Sequence, residues 1–395
     1  MPRGGFCIGV HTGRESGWIA ALAVTLLPAL LLGAEPMAVS SLPTIRGQFE
    51  IGKDGRLILL PIMLGDREFH CLLDTGASRS AFDVSLIAEL GPERGGQLLK
   101  TPAGLRRAAT YDWPRTLLGG QVVRSDRTVV SIDLENIRRA TNENVFGVIG
   151  MDVLRHCCLQ INFDEGLVHF RDALPPHEEL GEKVSIEILN DGSPFIVASV
   201  AGNGLEHFLI DTGAQGNSLA ADAFDELQER GCIRLGSSSA SVSVGGETHG
   251  DRGRLSRLAI GPFVQAGLRF SRVNVSGLGL RYFSRFRVIF DFPGKAAYLR
   301  KGEHYRRPEP QATSGLVLNW IDGQIVVESV RQESPGESAG LRPGDVLVRI
   351  NEKDAREYDQ FALRKLLTTA GGRRVPLTVH RQNREFVIEV VLADD

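Results

Sequence analysis

The chain has 395 residues, 42% of them apolar and 24% charged, with a formal net charge of −3. That length suits two or three domains with a sizeable core, in the composition of an ordinary globular protein. A balance this near neutral gives no electrostatic case for a nucleic-acid partner, and pairs such as Arg106-Arg107 and Arg138-Arg139 read as solvated surface.

The N-terminus is unlike the rest. Arg3 and Arg14 precede an uncharged apolar run from Trp18 to Ala34. A basic flank, an apolar centre and a Gly-Ala exit form a secretory signal pattern, with cleavage after Ala34. The run is also at the short edge of a membrane span, so an uncleaved anchor is the alternative, and the chain's one route to a membrane. Residues 1–34 are therefore set aside as signal peptide or N-terminal anchor, and both readings make the folded part secreted or periplasmic. Cys71, Cys157, Cys158 and Cys232 show no disulfide-framework spacing. Cys71 reads as a small buried apolar residue. Adjacent Cys157 and Cys158 on an extended strand would face opposite ways, which disfavours a metal site. The sequence calls for no metal and no cofactor.

Short β runs follow. Leu57 to Met63 predicts a strand, Gly65-Asp66 a turn, and Phe69 to Leu73 the partner strand, which runs into Asp74-Thr75-Gly76-Ala77. Ala81 to Leu90 has helical spacing and stops at Gly91. Thr101-Pro-Ala-Gly104 is a glycine-bearing polar segment, and Val148-Ile149-Gly150 closes a later apolar run. After the connector Asp172 to Glu179 the series starts again. Gly192 leads into Asp211-Thr212-Gly213-Ala214 at the offset at which Gly55 leads into Asp74. The helical stretch Ala221 to Arg230, the polar glycines Gly245 and Gly246, and Leu278-Gly279 each have a counterpart in the first series. Residues 45–171 and 185–301 read as one lobe written twice. A single Asp-Thr-Gly would most simply be a turn capped by its own carboxylate. Two copies that end matched apolar strands point to a shared pair of aspartates.

A strand ending in Asp-Thr-Gly-Ala, with two apolar residues and a glycine later in the lobe, resembles the pepsin-like and retroviral-type aspartic proteases over roughly 250 residues. The resemblance implies a mainly β fold: two pseudo-symmetric retropepsin-like β-barrel lobes forming a bilobal aspartic protease. It implies that Asp74 and Asp211 are the catalytic pair, with Thr75 and Thr212 stitching the two turns together and Gly76 and Gly213 allowing tight backbone. It also implies a hairpin flap over the substrate, at Gly104 in one lobe and Gly245-Gly246 in the other; an exposed turn without a role is the open alternative for each.

From Lys301 the chain turns polar and proline-bearing, so residues 302–313 read as a linker. Residues 314–395 follow, with Ser338-Ala-Gly-Leu, Pro343-Gly-Asp and a strand ending Ile350-Asn351. They resemble the PDZ modules of bacterial secreted proteases, which implies a small α+β PDZ domain. There Gly315, Leu316, Val317 and Leu318 would receive a protein C-terminal tail as an added strand, and the helical stretch Tyr358 to Thr369 would wall the groove. Gly336-Glu-Ser338-Ala-Gly340 fits a serine-nucleophile pattern literally, but its flanks read as loop.

The chemistry then reads as follows. Two touching carboxylates cannot both ionise, so they share one proton and titrate as a unit. The ionised member activates water, and the other protonates the substrate carbonyl. The first expectation is an aspartic endopeptidase whose partners are peptide or protein substrates, with a PDZ module that recruits or regulates them. The alternative is a non-catalytic peptide-binding scaffold.

Overall fold

The computed structural model describes residues 46–394 apart from 54, 102–103, 203, 237–238, 244–245, 310–311, 322, 359 and 368–371. The chain is mainly β, with 49% strand and 15% helix. The first half carries β1 (Gly47–Glu50), β2 (Leu59–Leu64), β3 (Arg67–Leu73), β4 (Ala81–Asp83), β5 (Glu93–Thr101), β6 (Gly104–Tyr111), β7 (Thr116–Leu118), β8 (Gln121–Val123), β9 (Val129–Ile132), β10 (Val145–Ile149), β11 (Cys158–Asn162) and β12 (Leu167–Arg171). Its helices are short: α1 (Ile87–Leu90), α2 (Glu135–Thr141) and α3 (Met151–Leu154).

The second half has β13 (Glu182–Ile188), β14 (Pro194–Val200), β15 (Gly204–Ile210), β16 (Asn217–Ala220), β17 (Ile233–Leu235), β18 (Ser239–Ser243), β19 (Gly246–Gly250), β20 (Arg252–Leu255), β21 (Leu258–Ile260), β22 (Phe263–Gln265), β23 (Leu268–Val273), β24 (Gly277–Leu278), β25 (Phe286–Asp291) and β26 (Ala296–Lys301), with α4 (Ala221–Glu229) and α5 (Leu280–Phe283). The C-terminal part has β27 (Ala312–Thr313), β28 (Leu316–Ile321), β29 (Gln324–Val330), β30 (Val346–Ile350), β31 (Lys353–Asp354), β32 (Arg374–Arg381), β33 (Arg384–Val391) and β34 (Ala393–Asp394), with α6 (Pro335–Ser338) and α7 (Gln360–Leu367).

The strand orders repeat. One sheet runs β5-β6-β9-β4-β10-β3-β2-β7-β8, and the second half runs β17-β20-β23-β16-β24-β15-β14 with β21 on β14 and β22 on β21. Each order sets the strand entering its Asp-Thr-Gly, β3 or β15, between the same kinds of neighbour. One is an antiparallel hairpin partner, β2 or β14, and the other a parallel strand, β10 or β24. The halves join through a ladder of six, β1-β12-β11-β25-β26-β13, where β11 meets β25 antiparallel with Leu159 opposite Phe290 and Ile161 opposite Val288. Alternation along these strands buries Leu159, Ile161, Val288, Phe290 and Leu299 on one face and leaves Gln160, Arg287 and Tyr298 partly exposed on the other. The buried face belongs to one continuous core that both halves share.

The end of β3, Cys71 to Leu73, is buried on both faces, which explains the apolar run that enters Asp74. Phe69, Cys71 and Leu73 enter the main core, whereas Leu72 enters a smaller cluster with Val130, Leu134 and Val148. The barrel expected for each lobe does not form among the described residues; the sheets are open. In the first, β5–β6 and the three-residue strands β7 and β8 lie at opposite ends of the order, and no described strand pairs with both ends.

Two further expectations shift. The helix foreseen over 81–90 is a strand at Ala81–Asp83, which pairs in parallel with β9, and helical turns follow only from Val84. Asp83 ends the strand by accepting the Ser85 N–H, so cross-strand pairing overrides the helical spacing. The stretch after Lys301 is pinned, not free. Glu309 is buried against Arg285 at 3.0 Å, and Arg285 also donates to the Arg307 carbonyl at 2.6 Å.

The C-terminal domain has its own core, including Trp320, Ile325, Leu347, Leu363 and Leu377, inside the order β28-β29-β30-β32-β33. No helix among the described residues is long and apolar enough to cross a membrane. Residues 1–34 lie outside the described part.

Candidate active site

β3 and β15 deliver Asp74 and Asp211 to one place. The N–H of Asp74 donates to the Ile149 carbonyl of β10 at 3.0 Å, and the N–H of Asp211 to the Leu278 carbonyl of β24, also at 3.0 Å. Just beyond, the Met151 N–H reaches the Ala77 carbonyl and the Leu280 N–H the Ala214 carbonyl, each at 2.8 Å. The later strand of each half is thus threaded against its own Asp-Thr-Gly-Ala turn. Gly150 and Gly279 make the threading possible. A Cβ on either would lie 2.7 Å from the Ala77 carbonyl oxygen or 2.2 Å from that of Gly216, so any side chain collides with backbone.

The threonines hold the turns together. The Thr75 N–H donates to Thr212 Oγ1 and the Thr212 N–H to Thr75 Oγ1, both at 3.0 Å. The Thr75 hydroxyl donates onward to the Ile210 carbonyl at 2.6 Å, and the Thr212 hydroxyl to the Leu73 carbonyl at 2.8 Å. Both threonines are fully buried, so four hydrogen bonds join six polar groups across the junction.

The glycines bring the carboxyls close. A Cβ on Gly76 would sit 2.6 Å from Asp211 Cγ, and one on Gly213 would sit 2.3 Å from Asp74 Cγ. Neither glycine has a positive φ, so the requirement here is close approach and not a left-handed turn. Asp74 Oδ1 accepts the Gly76 N–H at 2.8 Å and the Ala77 N–H at 3.1 Å, whereas Asp211 Oδ1 accepts the Ala214 N–H at 2.9 Å. Burial raises the pKa of both carboxyls. For Asp74 the Gly76 and Ala77 amides work against that rise, and for Asp211 the neighbouring Asp74 charge adds to it. The arrangement can hold one proton between two carboxyls well above the ordinary carboxylate range.

Two supporting side chains carry no signal as single residues. The Ser80 hydroxyl accepts the Gly150 N–H at 2.9 Å and donates to Asp152 Oδ1 at 2.7 Å. In the other half Asn217 Oδ1 accepts the Gly279 N–H at 3.3 Å. Ser80 and Asn217 occupy equivalent places after their aspartates, so overlaying the repeat could have found them. Asp152 is buried with Oδ2 unpartnered, and burial raises its pKa, opposed by the Ser80 hydroxyl.

Gly104, with φ +113°, opens the returning strand of the β5–β6 hairpin, which exposes Leu98 and Leu105. Gly246 opens β19 of the β18–β19 hairpin, and Gly245 lies outside the described residues. In the C-terminal domain Gly315 has φ +74°, and a Cβ there would lie 2.1 Å from Ser334 Cβ, so only glycine fits. Leu316, Val317 and Leu318 begin β28, an edge strand bonded to β29. The Leu316 N–H already donates to the Ser314 hydroxyl at 3.3 Å. The helix expected to wall the groove spans Gln360–Leu367, shorter than the stretch 358–369; residues 359 and 368–369 lie outside the described part. Ser338 is exposed at the end of α6, which is capped by Ser334, so it stands after a loop and not on a strand-to-helix elbow. Cys71, Cys158 and Cys232 are free, and no metal-ligating cluster is found among the described residues.

Comparison with known proteins gives partial matches. Over 81 residues, 20% of the chain, the sequence is 32% identical to Syntenin-1 of Mus musculus and covers 26% of that protein. A solved structure of the photosystem II D1 C-terminal processing protease aligns over 23% of this chain and 25% of its own, at 19% identity and a TM-score of 0.21. The chain thus spans about a quarter of the length of these relatives. Residues 326–381 match the PDZ family, and the chain carries a PDZ domain there.

Proposed function

We propose that the two repeated halves are retropepsin-like lobes of an aspartic endopeptidase, and that the PDZ domain brings it protein C-terminal tails. The observation that supports this most is the reciprocal threonine lock, which holds Asp74 and Asp211 face to face in a doubled turn. A structural Asx turn needs neither a partner turn nor a second carboxyl.

The unequal amide donors divide the work. Asp74, with two amide N–H donors on one oxygen, is the ionised member, and Asp211 carries the shared proton. Water between them loses a proton to Asp74 as its oxygen attacks the substrate carbonyl carbon. Asp211 gives its proton to the carbonyl oxygen. The tetrahedral diol then collapses: the proton held on Asp74 passes to the amine as the C–N bond breaks, and a diol hydroxyl returns its proton to Asp211. Water is the nucleophile, so no covalent intermediate and no cofactor enter. The β5–β6 hairpin, with exposed Leu98 and Leu105, is the flap. The apolar run Trp18 to Ala34 directs the folded part out of the cytoplasm, to the periplasm or the medium.

The test is cleavage of a mixed peptide library by the chain lacking residues 1–39, from pH 3 to 8, beside Asp74→Asn and Asp211→Asn. Cleavage that disappears in both variants supports the pair. Folded protein that cleaves nothing at any pH would leave the PDZ domain as the functional part and the lobes as a peptide-binding scaffold.

A further inference from the structure

β28 is the edge at which a peptide would add a strand to the PDZ sheet, since among the described strands it bonds to β29 alone. That strand has a neighbour from the first half of the chain. The backbone of α2 comes within 8 Å, Cα to Cα, of β28, and it also comes within that distance of β18 in the second half's hairpin. One seven-residue helix thus touches the peptide-accepting strand and the hairpin that stands where a second flap is expected.

α2 is short and lightly seated. It has no side-chain N-cap and no fully buried residue, and it stops at Asn142 with φ +53°. So short a helix has little stability of its own. Its contacts with the first half include Arg138, which donates to Asp83 at 2.9 Å and to the Val145 carbonyl at 3.0 Å and lies over the Phe146 ring, and Ile137, packed on the small cluster beneath. Asn136 and Arg139 on the same helix are exposed.

Resting on the peptidase and PDZ reading above, we propose that α2 is the resident occupant of the peptide-accepting side of β28. A protein C-terminal tail that enters the groove displaces α2 and with it releases the β18–β19 hairpin. The tail therefore acts as a switch on the cleft as well as a tether for substrate. Binding and displacement are coupled reciprocally, so loosening α2 must tighten the tail.

The probe is a fluorescein-labelled decapeptide ending in Val with a free carboxylate, compared with its carboxamide by anisotropy. It is titrated into the chain lacking residues 1–39, and into two double variants of the exposed α2 positions. Asn136→Gly with Arg139→Gly lowers helix propensity, whereas Asn136→Ala with Arg139→Ala removes the same side chains and raises it. The expected result is about tenfold tighter carboxylate-dependent binding by the glycine pair, with the alanine pair no tighter than the parent. In the parent, the peptide should also speed amide exchange in α2 and in Gly246–Gly250. Equal binding by all three proteins, with α2 exchange unchanged, overturns the occlusion and leaves the PDZ reading standing. No binding to any of the three overturns both.

Discussion

The two halves solve one construction problem with different materials. Around Asp74 the parallel neighbour β10 is five residues long, and its Gly150 amide is held by a serine that in turn engages a buried carboxylate. Around Asp211 the equivalent β24 is two residues long, and an asparagine at 3.3 Å is the polar support. Yet the bonds that define the site are the same in both: aspartate amide to the parallel strand, threonine across the junction, glycine against backbone. The difference teaches where the repeat tolerates change. Groups that touch the other half are fixed, because each must fit its mate. Groups that only brace their own half drift, because any acceptor of the right reach serves.

If that division is right, the largest effect belongs to the carboxyls. Asp74→Asn and Asp211→Asn should each lower kcat by about 10³-fold or more, since each removes one of the two proton-transfer roles. Peptide-cleavage rates at matched folding, checked by circular dichroism, decide this; a variant that retained parent activity would break the equivalence of the halves. Next come the threonines. Thr75→Val strips the Ile210 carbonyl and the Thr212 N–H of their partner inside a fully buried junction. Two orphaned buried groups cost about 2–4 kcal/mol, and Thr212→Val should cost the same, read by calorimetry as a lowered transition of the lobes. Serine at either position keeps the hydroxyl and should stay within about 1 kcal/mol of the parent.

A third prediction uses acidity. Burial and the Asp74 charge raise the folded-state pKa of Asp211 above its unfolded value. A carboxyl raised in this way contributes stability that is fully present below the unfolded pKa and is lost as pH rises toward and through the folded one. Between those two values the parent should therefore lose stability with rising pH, by up to about 1.4 kcal/mol per unit for one proton. Asp211→Asn should lose the Asp211 share of that slope and keep only what the buried Asp74 contributes. Asp152, raised by burial, and Asp83 and Asp345, lowered by their partners, stay in place and cancel in the difference. Urea unfolding of both proteins from pH 4 to 8 gives the comparison, and parallel curves would show that the pair carries no excess proton.

The sequence carried the repeat because its markers are chemically distinctive. Asp-Thr-Gly-Ala recurs at a fixed offset, and the glycines at 150 and 279 are irreplaceable for the collision reason given above. It carried the PDZ domain through small residues in tight places, Gly315 against Ser334 among them. It did not carry the strand at Ala81–Asp83. There the spacing favours helix, and only the pairing with β9, about 50 residues away, decides otherwise. Nor did it carry the pinned linker, since Glu309 looks like any exposed acid until Arg285 closes on it. Ser80 and Asn217 stayed hidden for a different reason: a serine and an asparagine perform one task, so identity gives no signal and only position does.

That last pair gives the smallest and most discriminating experiment. Ser80→Ala removes the acceptor of the Gly150 N–H and one of the donors to Asp152 Oδ1, and the second oxygen of that carboxylate is already unpartnered. The loss falls on a buried amide and a buried acid together, so about 2 kcal/mol is expected. Asn217→Ala removes two long bonds, 3.3 Å from the Gly279 N–H and 3.4 Å to the Arg269 carbonyl, and disturbs no carboxylate through them. About 1 kcal/mol is expected there. Both variants leave the threonine lock and the two aspartates in place, so KM should hold while kcat falls modestly, and more for Ser80→Ala. Equal costs at the two positions would mean that Asp152 is an ornament of the first half; a much larger cost at Ser80 would make the Ser80–Asp152 pair the fixed end against which the shorter β24 half is aligned.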